Sequence, residues 1–132
     1  MFQIKARIDY GLMIMFELAK NPNETIPLSG IAKKMKISSI YLIQIAKLLS
    51  SANLIKSKEG AKGGYFLARP AKDISILEIV EALEGKIGIR CRSKAVVNCP
   101  HSGQCELKSV WFDILTDLKG VLKNRSLATL IK

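Results

Sequence analysis

Histidine is nearly absent from this chain: His101 is the only one, and no constellation of acids and bases surrounds it, so the sequence is not expected to encode an enzyme. No uninterrupted apolar run approaches the ~20 residues of a membrane span. The opening Met1-Phe2-Gln3-Ile4-Lys5 lacks the charged, apolar and small-residue regions of a signal peptide, so a reducing, cytoplasmic compartment is expected. Cysteine is scarce and odd in number, three in 132 residues, which argues against the paired framework of a small secreted domain. Acids are outnumbered as well, 11 against 21 lysines and arginines, for a net charge of +10. Such an excess points to nucleic acid or another anionic surface. With 48% apolar residues the chain can bury a real core, as one domain with room for an appended dimerisation element.

The three cysteines, Cys91, Cys99 and Cys105, crowd into one fifteen-residue stretch in the frame C-x7-C-x5-C. Structural zinc usually grips a loop through C-x2-4-C knuckles, and none is present. Long gaps suit ligands arriving on a loop around a larger cofactor, and all-thiolate ligation is the signature of iron-sulfur clusters. No acid occurs among residues 86–94, whereas Lys86, Arg90, Arg92 and Lys94 would favour thiolate and offset the cluster's negative charge. An iron-sulfur cluster, 4Fe-4S or 2Fe-2S, is the first expectation. Zinc and free or redox-switching thiols are the alternatives.

Residues 28–62 carry Lys33, Lys34, Lys36, Lys47, Lys56, Lys58 and Lys62 against the single acid Glu59. This basic stretch coincides with a helical pattern. A first amphipathic helix is expected over about residues 3–19, with Ile4, Ile8, Leu12, Met15 and Leu18 or Ala19 on one stripe and Asn21-Pro22-Asn23 as its stop. Leu28 to Met35 forms a short helix, Lys36-Ile37-Ser38 a turn, and Ser38 or Ser39 caps a longer helix running through Tyr41, Leu42, Ile45, Leu48 and Leu49 to Ala52. Two helices joined by a tight turn read as helix-turn-helix, with an ordinary helical hairpin as the alternative. Asn53 to Lys58 then makes a strand, Glu59 to Gly64 a glycine-rich turn and Tyr65 to Ala68 a returning strand, which together form the wing of a winged helix. A nucleotide phosphate loop is disfavoured because no G-K-[ST] follows and a strand comes next. Ser38, Ser39, Tyr41 and Gln44 should meet base edges, Gln44 with the capacity to pair bidentately with adenine. Lys33, Lys34, Lys47, Lys58 and Lys62 should touch phosphate, and Gly63 and Gly64 should allow close approach to the backbone.

Helix-turn-helix, a wing ending in Gly63-Gly64-Tyr65-Phe66-Leu67-Ala68-Arg69-Pro70, then Ile74-Ser75-Ile76-Leu77-Glu78-Ile79-Val80-Glu81-Ala82-Leu83-Glu84-Gly85 and three cysteines: in this order the chain resembles, essentially end to end, the bacterial iron-sulfur winged-helix regulators of the IscR, NsrR and RirA type, the Rrf2 family. The resemblance implies a mainly α fold with a small β-wing, divided into a winged helix-turn-helix domain at 1–84, a cluster-binding loop at 85–105 and a dimerisation helix with a C-terminal segment at 106–132. It further implies a DNA-binding transcriptional regulator, a repressor by expectation, that works as a homodimer on a palindromic operator and senses nitric oxide, redox state, iron or cluster supply.

Two local signals stand beside it. Ser75 with Glu78 makes a capping box for a helix over about 75–84. Leu107, Trp111, Ile114, Leu118 and Val121 alternate at spacings of four and three, with Val110, Leu115 and Leu122 widening the stripe before Asn124-Arg125-Ser126 breaks the helix. That pattern serves equally a coiled-coil seam or packing against the core, and the resemblance implies dimerisation.

Cys91, Cys99 and Cys105 match the family's cluster ligands. Where the IscR branch has a histidine three residues after the last cysteine, this chain has Lys108. NsrR-like members use an acid of the first helix, which makes Asp9 the expected fourth ligand, reaching the partner's cluster across the dimer, with His101 the local alternative. Two positions depart from the pattern: Ile43 stands where IscR-like proteins often carry an acid, and Glu59 where the wing often carries arginine. A zinc-stabilised or thiol-based regulator keeps the DNA function and changes the sensor, while a small electron-transfer protein would have no use for a basic winged helix.

Overall fold

The computed structural model describes residues 3–88 and 106–131. In chain order the elements are α1 (Ala6–Lys20), α2 (Leu28–Met35), α3 (Ser39–Ser51), β1 (Ile55–Lys58), β2 (Gly64–Leu67), α4 (Ile76–Glu84) and α5 (Glu106–Asn124), with 3-10 turns at Ala71–Asp73 and Leu127–Leu130. The class is the expected one, mainly helical with a two-stranded antiparallel wing.

α1 buries Gly11, Ile14, Met15, Leu18 and Ala19, the i, i+3, i+4, i+7, i+8 face of a helix packed on a core. The expected stripe is therefore corrected at its start. Ile4 precedes the first helical residue, has no place in the helical phase and is exposed, while Ile14 lies fully inside. A methyl group on Gly11 would overlap the side chain of Leu83, so this glycine lets α1 and α4 approach closely.

α2 ends where Lys36 adopts a left-handed conformation (φ 57°) and the Ile37 N–H returns to the Ala32 carbonyl at 3.1 Å, which satisfies an orphan carbonyl and turns the chain sharply into α3. Ser38 occupies the N-cap with extended backbone, yet its hydroxyl makes no capping hydrogen bond, contrary to expectation. α3 buries Leu42, Ile45, Ala46 and Leu49. Leu48 falls outside that face and is exposed, because the inward position one helical turn after Leu42 is taken by the small Ala46. Each large apolar side chain in this core contributes ~1.5–3 kcal/mol by leaving water.

The wing pairs Ile55 with Leu67, Lys56 with Phe66, Ser57 with Tyr65 and Lys58 with Gly64. Ile26, in the α1–α2 linker, bridges Tyr65 through reciprocal 2.9 Å hydrogen bonds and so acts as a third partner at the sheet edge. A Cβ on Gly64 would sit 2.6 Å from the Ile26 carbonyl oxygen, so only glycine permits this approach.

The capping box forms as expected: the Glu78 N–H donates to Ser75 Oγ at 3.1 Å, and the Ser75 N–H donates to Glu78 Oε2 at 2.9 Å. Arg69 Nη2 lies 2.9 Å from Glu78 Oε1 and ties the end of the wing to α4. Beyond α5 the chain returns to the winged-helix core. The Ile76 N–H donates to the Arg125 carbonyl and the Leu127 N–H to the Ile74 carbonyl, both at 2.8 Å, and Leu127 is completely buried.

α5 turns Leu122 toward the core. Trp111 (53% accessible), Val121 (54%), Ile114 and Leu118 all face solvent, beside exposed Val110 and Phe112. Within one chain, these side chains of α5 are not packed against the described residues of the winged helix. No helix among the described residues is long and apolar enough to cross a membrane.

Candidate nucleic-acid interface

α3 is held by its inner face and presents Ser39, Ile40, Ile43, Gln44 and Lys47 outward. Ser38, just before it, is exposed too. Tyr41 is half-buried: its ring meets that of Tyr10 from α1 edge-on, with centroids 5.6 Å apart and planes at 88°. That contact commits most of the Tyr41 ring to joining α1 and α3.

Lys33, Lys36, Lys47, Lys56, Lys58 and Lys62 are exposed, and none has an acidic partner among the described residues. Lys34 differs, since its Nζ lies 2.7 Å from Glu17 Oε1, which also lies 3.0 Å from Lys20 Nζ. The Lys34 hydrogen bond, reinforced by Lys20, outweighs burial and holds the Glu17 carboxyl below its usual value. The same bond raises the Lys34 ammonium. Lys34 is thus already partnered within the fold, whereas its basic neighbours are not.

The wing tip is pinned by two hydrogen bonds. Thr25 Oγ1 donates to the Lys62 carbonyl at 2.8 Å, and the Gly63 N–H donates to the Gly60 carbonyl at 2.9 Å. A Cβ at Gly63 would come within 2.5 Å of the Lys58 carbonyl oxygen. Gly63 and Gly64 therefore have a scaffolding reason to be glycine: they close the tip and seat β2 on Ile26. Lys58, Lys62 and Glu59 project from this braced turn.

Asp9 sits in the first turn of α1, exposed, with no hydrogen bond or ion pair among the described residues. The start of α1 is strapped to the end of α4. Lys5 Nζ lies 3.2 Å from Glu84 Oε2, Arg7 Nε 3.8 Å from Glu84 Oε1, and Arg7 Nη1 donates to the Leu83 carbonyl at 3.2 Å. Cations there also complement the negative end of the α4 dipole. Gly85, with φ 84°, then leads toward the cysteine stretch. Cys91, Cys99, Cys105 and His101 lie outside the described residues.

Three contributors were not identified from the sequence. Ile40 is the most exposed large apolar side chain of α3, and its spacing of three, four and seven from Ile43, Gln44 and Lys47 was the available signal. Thr25 and Ile26, which brace the wing, left no local signal because both contacts span the α2–α3 unit.

The Rrf2 family model, described as iron-dependent transcriptional regulator, matches residues 4–132. IscR, an HTH-type transcriptional regulator of Klebsiella pneumoniae, is 31% identical over 125 residues, 92% of this chain and 75% of IscR. Among solved structures, CymR, the global cysteine regulator of B. subtilis, superposes with a TM-score of 0.79 at 32% identity over 98% of this chain and 96% of CymR. T. potens IscR gives 0.76 at 31% identity over 98% and 86%.

Proposed function

The chain belongs to the Rrf2 family of transcriptional regulators, and from that premise we propose that it binds double-stranded DNA as a homodimer under the control of an iron-sulfur cluster held by Cys91, Cys99 and Cys105. The observation that carries the DNA reading is that Lys33, Lys47, Lys58 and Lys62 are exposed without an acidic partner among the described residues, as is the outer face of α3. Lysines without internal carboxylate partners are free to neutralise phosphates and so release the counterions condensed on DNA. α3 enters the major groove with Ser38, Ser39 and Gln44 toward base edges, while Tyr41 positions the helix through Tyr10. The wing adds Lys58 and Lys62 on a tip kept tight by Gly63 and Gly64, and Lys34 contributes only when it leaves Glu17.

Dimerisation follows from α5. Trp111, Ile114, Leu118 and Val121 form an exposed apolar seam at coiled-coil spacing, and a second copy buries it with two-fold symmetry to match a palindromic operator. On this division, residues 1–84 read DNA, 85–105 sense and 106–132 dimerise.

The donor set fits a cluster: three thiols within fifteen residues, and in Asp9 an exposed carboxylate with no competing partner among the described residues. His101 is the local alternative to Asp9. Bound, a cluster supplies a link sensitive to oxidation, nitric oxide or iron supply between the 85–105 stretch and α1. Lys5, Arg7, Leu83 and Glu84 join α1 to the end of α4, and the Tyr10–Tyr41 contact joins α1 to α3. A constraint applied at Asp9 is thereby felt at the recognition helix by a contiguous path. A second sensing reading places zinc or free thiols at the same cysteines, and its thiol form is favoured by the likeness to CymR, the global cysteine regulator of B. subtilis.

The deciding experiment is the visible spectrum with iron, sulfide and zinc content of protein purified without oxygen, followed by DNA binding before and after cluster removal. Iron with matching sulfide, and an affinity that changes on removal, is the expected result. Zinc alone, or thiols alone even after reconstitution, would transfer the sensing role to the second reading and leave the DNA interface intact.

A further inference from the structure

α3 carries two large β-branched side chains where a solvated helix would carry polar ones. Ile40 is 70% accessible and Ile43 41% accessible, on the side opposite Leu42, Ile45, Ala46 and Leu49. Neither belongs to the core, and their exposure has no explanation in the stability of the single chain. They share one stripe with Gln44 and Lys47, at offsets of three, four and seven from Ile40. An apolar protein surface laid on this stripe would trap Gln44 and the neighbouring Lys33, Lys36 and Lys47 without carboxylates to pair them. The major groove of DNA removes that conflict. Its rim is phosphate, which suits the lysines, its floor offers adenine N6 and N7 to Gln44, and its one apolar feature is the thymine C5-methyl group.

We infer that Ile40 and Ile43 read thymine methyl groups beside the adenine paired with Gln44, so that they set base specificity without a hydrogen bond. Three residues of α-helix advance about 4.5 Å, somewhat more than the ~3.4 Å separating successive base pairs. Two isoleucines at that offset reach methyls on neighbouring or next-neighbouring pairs, with Gln44 one residue beyond Ile43. Each half-site therefore holds an A·T block under the N-terminal half of α3. Cytosine, which lacks the methyl and presents an N4 donor, meets an isoleucine that cannot accept from it, and is rejected.

This inference rests on the reading of α3 as the recognition helix, and the test separates the two. The chain, with the metal content it has when purified without oxygen, selects duplexes from a randomised pool. Thymines of the selected half-site are then replaced one at a time by deoxyuracil, which deletes only the methyl. Affinities are measured for the parent chain, Ile40→Ala and Ile43→Ala; both sites are exposed, and thermal melts confirm that the variants fold.

At one thymine per isoleucine, loss of the methyl should weaken parent binding about fourfold per half-site, about fifteenfold in a palindrome carrying the change twice. The matching alanine variant should lose most of that sensitivity while keeping its dependence on salt. A selected site without thymine enrichment, or deoxyuracil effects equal in all three proteins, would overturn the inference and leave α3 as the recognition helix. Failure to enrich any duplex would remove both readings. A shift in sedimentation for the alanine variants, with DNA preference unchanged, would assign the stripe to a protein partner and overturn the inference as well.

Discussion

The different states of the lysines make DNA affinity a quantitative probe of the interface. Of the expected phosphate contacts, Lys33, Lys47, Lys58 and Lys62 are unpaired among the described residues, whereas Lys34 is held by Glu17 at 2.7 Å. Four contacts per protomer and eight per dimer give a slope of log affinity against log salt of about −7, so affinity should fall about 10⁴-fold between about 50 and 200 mM salt. Lys47→Ala removes one contact from each protomer and should flatten the slope by about 1.8. Lys34→Ala should flatten it by less than half as much, because Lys34 must give up Glu17 before it meets phosphate. Glu17→Gln releases Lys34 and should steepen the slope. Fluorescence anisotropy on a selected duplex across a potassium chloride series reads all four proteins. A parent slope shallower than about −3, or equal flattening by Lys34→Ala and Lys47→Ala, would show that ion pairing within the fold does not decide which lysines bind.

Charge in the α5 seam tests the dimer. Ile114→Glu or Leu118→Glu should yield a monomer by analytical ultracentrifugation with little change in the melting of the winged helix, since both side chains are exposed in the single chain; retention of the dimer would refute the seam. Ser75→Ala removes the hydroxyl that caps α4 and should cost about 1 kcal/mol in urea denaturation; an unchanged midpoint would mean that Arg69 and water replace the cap. Acid should destabilise the fold through Glu17 and Glu78. At Glu78 burial raises the carboxyl, but the Ser75 N–H and Arg69 together outweigh it, so both groups sit below the ordinary 4.5. A depressed carboxylate stabilises while ionised, so its contribution is full above about pH 4.5 and is lost as pH falls through the lowered folded values. Glu17→Gln and Glu78→Gln should each weaken that acid dependence in stability measured from about pH 6 downward, and stability that rises on acidification would contradict it.

Elements with strong local chemistry were legible in the chain itself. α2 spans Leu28–Met35 as expected, and α4 follows Ser75 because serine and Glu78 satisfy each other's backbone donors within one turn. The wing was readable because a glycine-rich turn between two short extended runs, Asn53 to Lys58 and Tyr65 to Ala68, admits few other structures. Phase was harder: the stripe expected for α1 starts at Ile4, before the helix does, and in α3 the inward positions include the small Ala46 while Leu48 is exposed. An apolar pattern specifies a face, but the partner elements decide which of two adjacent stripes turns in. The candidate site divides in the same way. Exposed lysines were visible as a charge excess in residues 28–62, while the subtraction of Lys34 depends on Glu17, seventeen residues earlier and brought close by packing.

By itself the sequence determined the class of the protein: charge balance, helix-turn-helix, wing and three clustered cysteines are local or compositional properties, and local hydrogen bonding and side-chain periodicity are enough to express them. Only the tertiary structure decided which groups remain available. It paired Lys34, lodged Tyr41 against Tyr10, drew Leu127 into the core, and left Ile40, Ile43 and the α5 seam facing water. Availability is a property of what lies across from a side chain, and that is set by contacts between residues far apart in the chain.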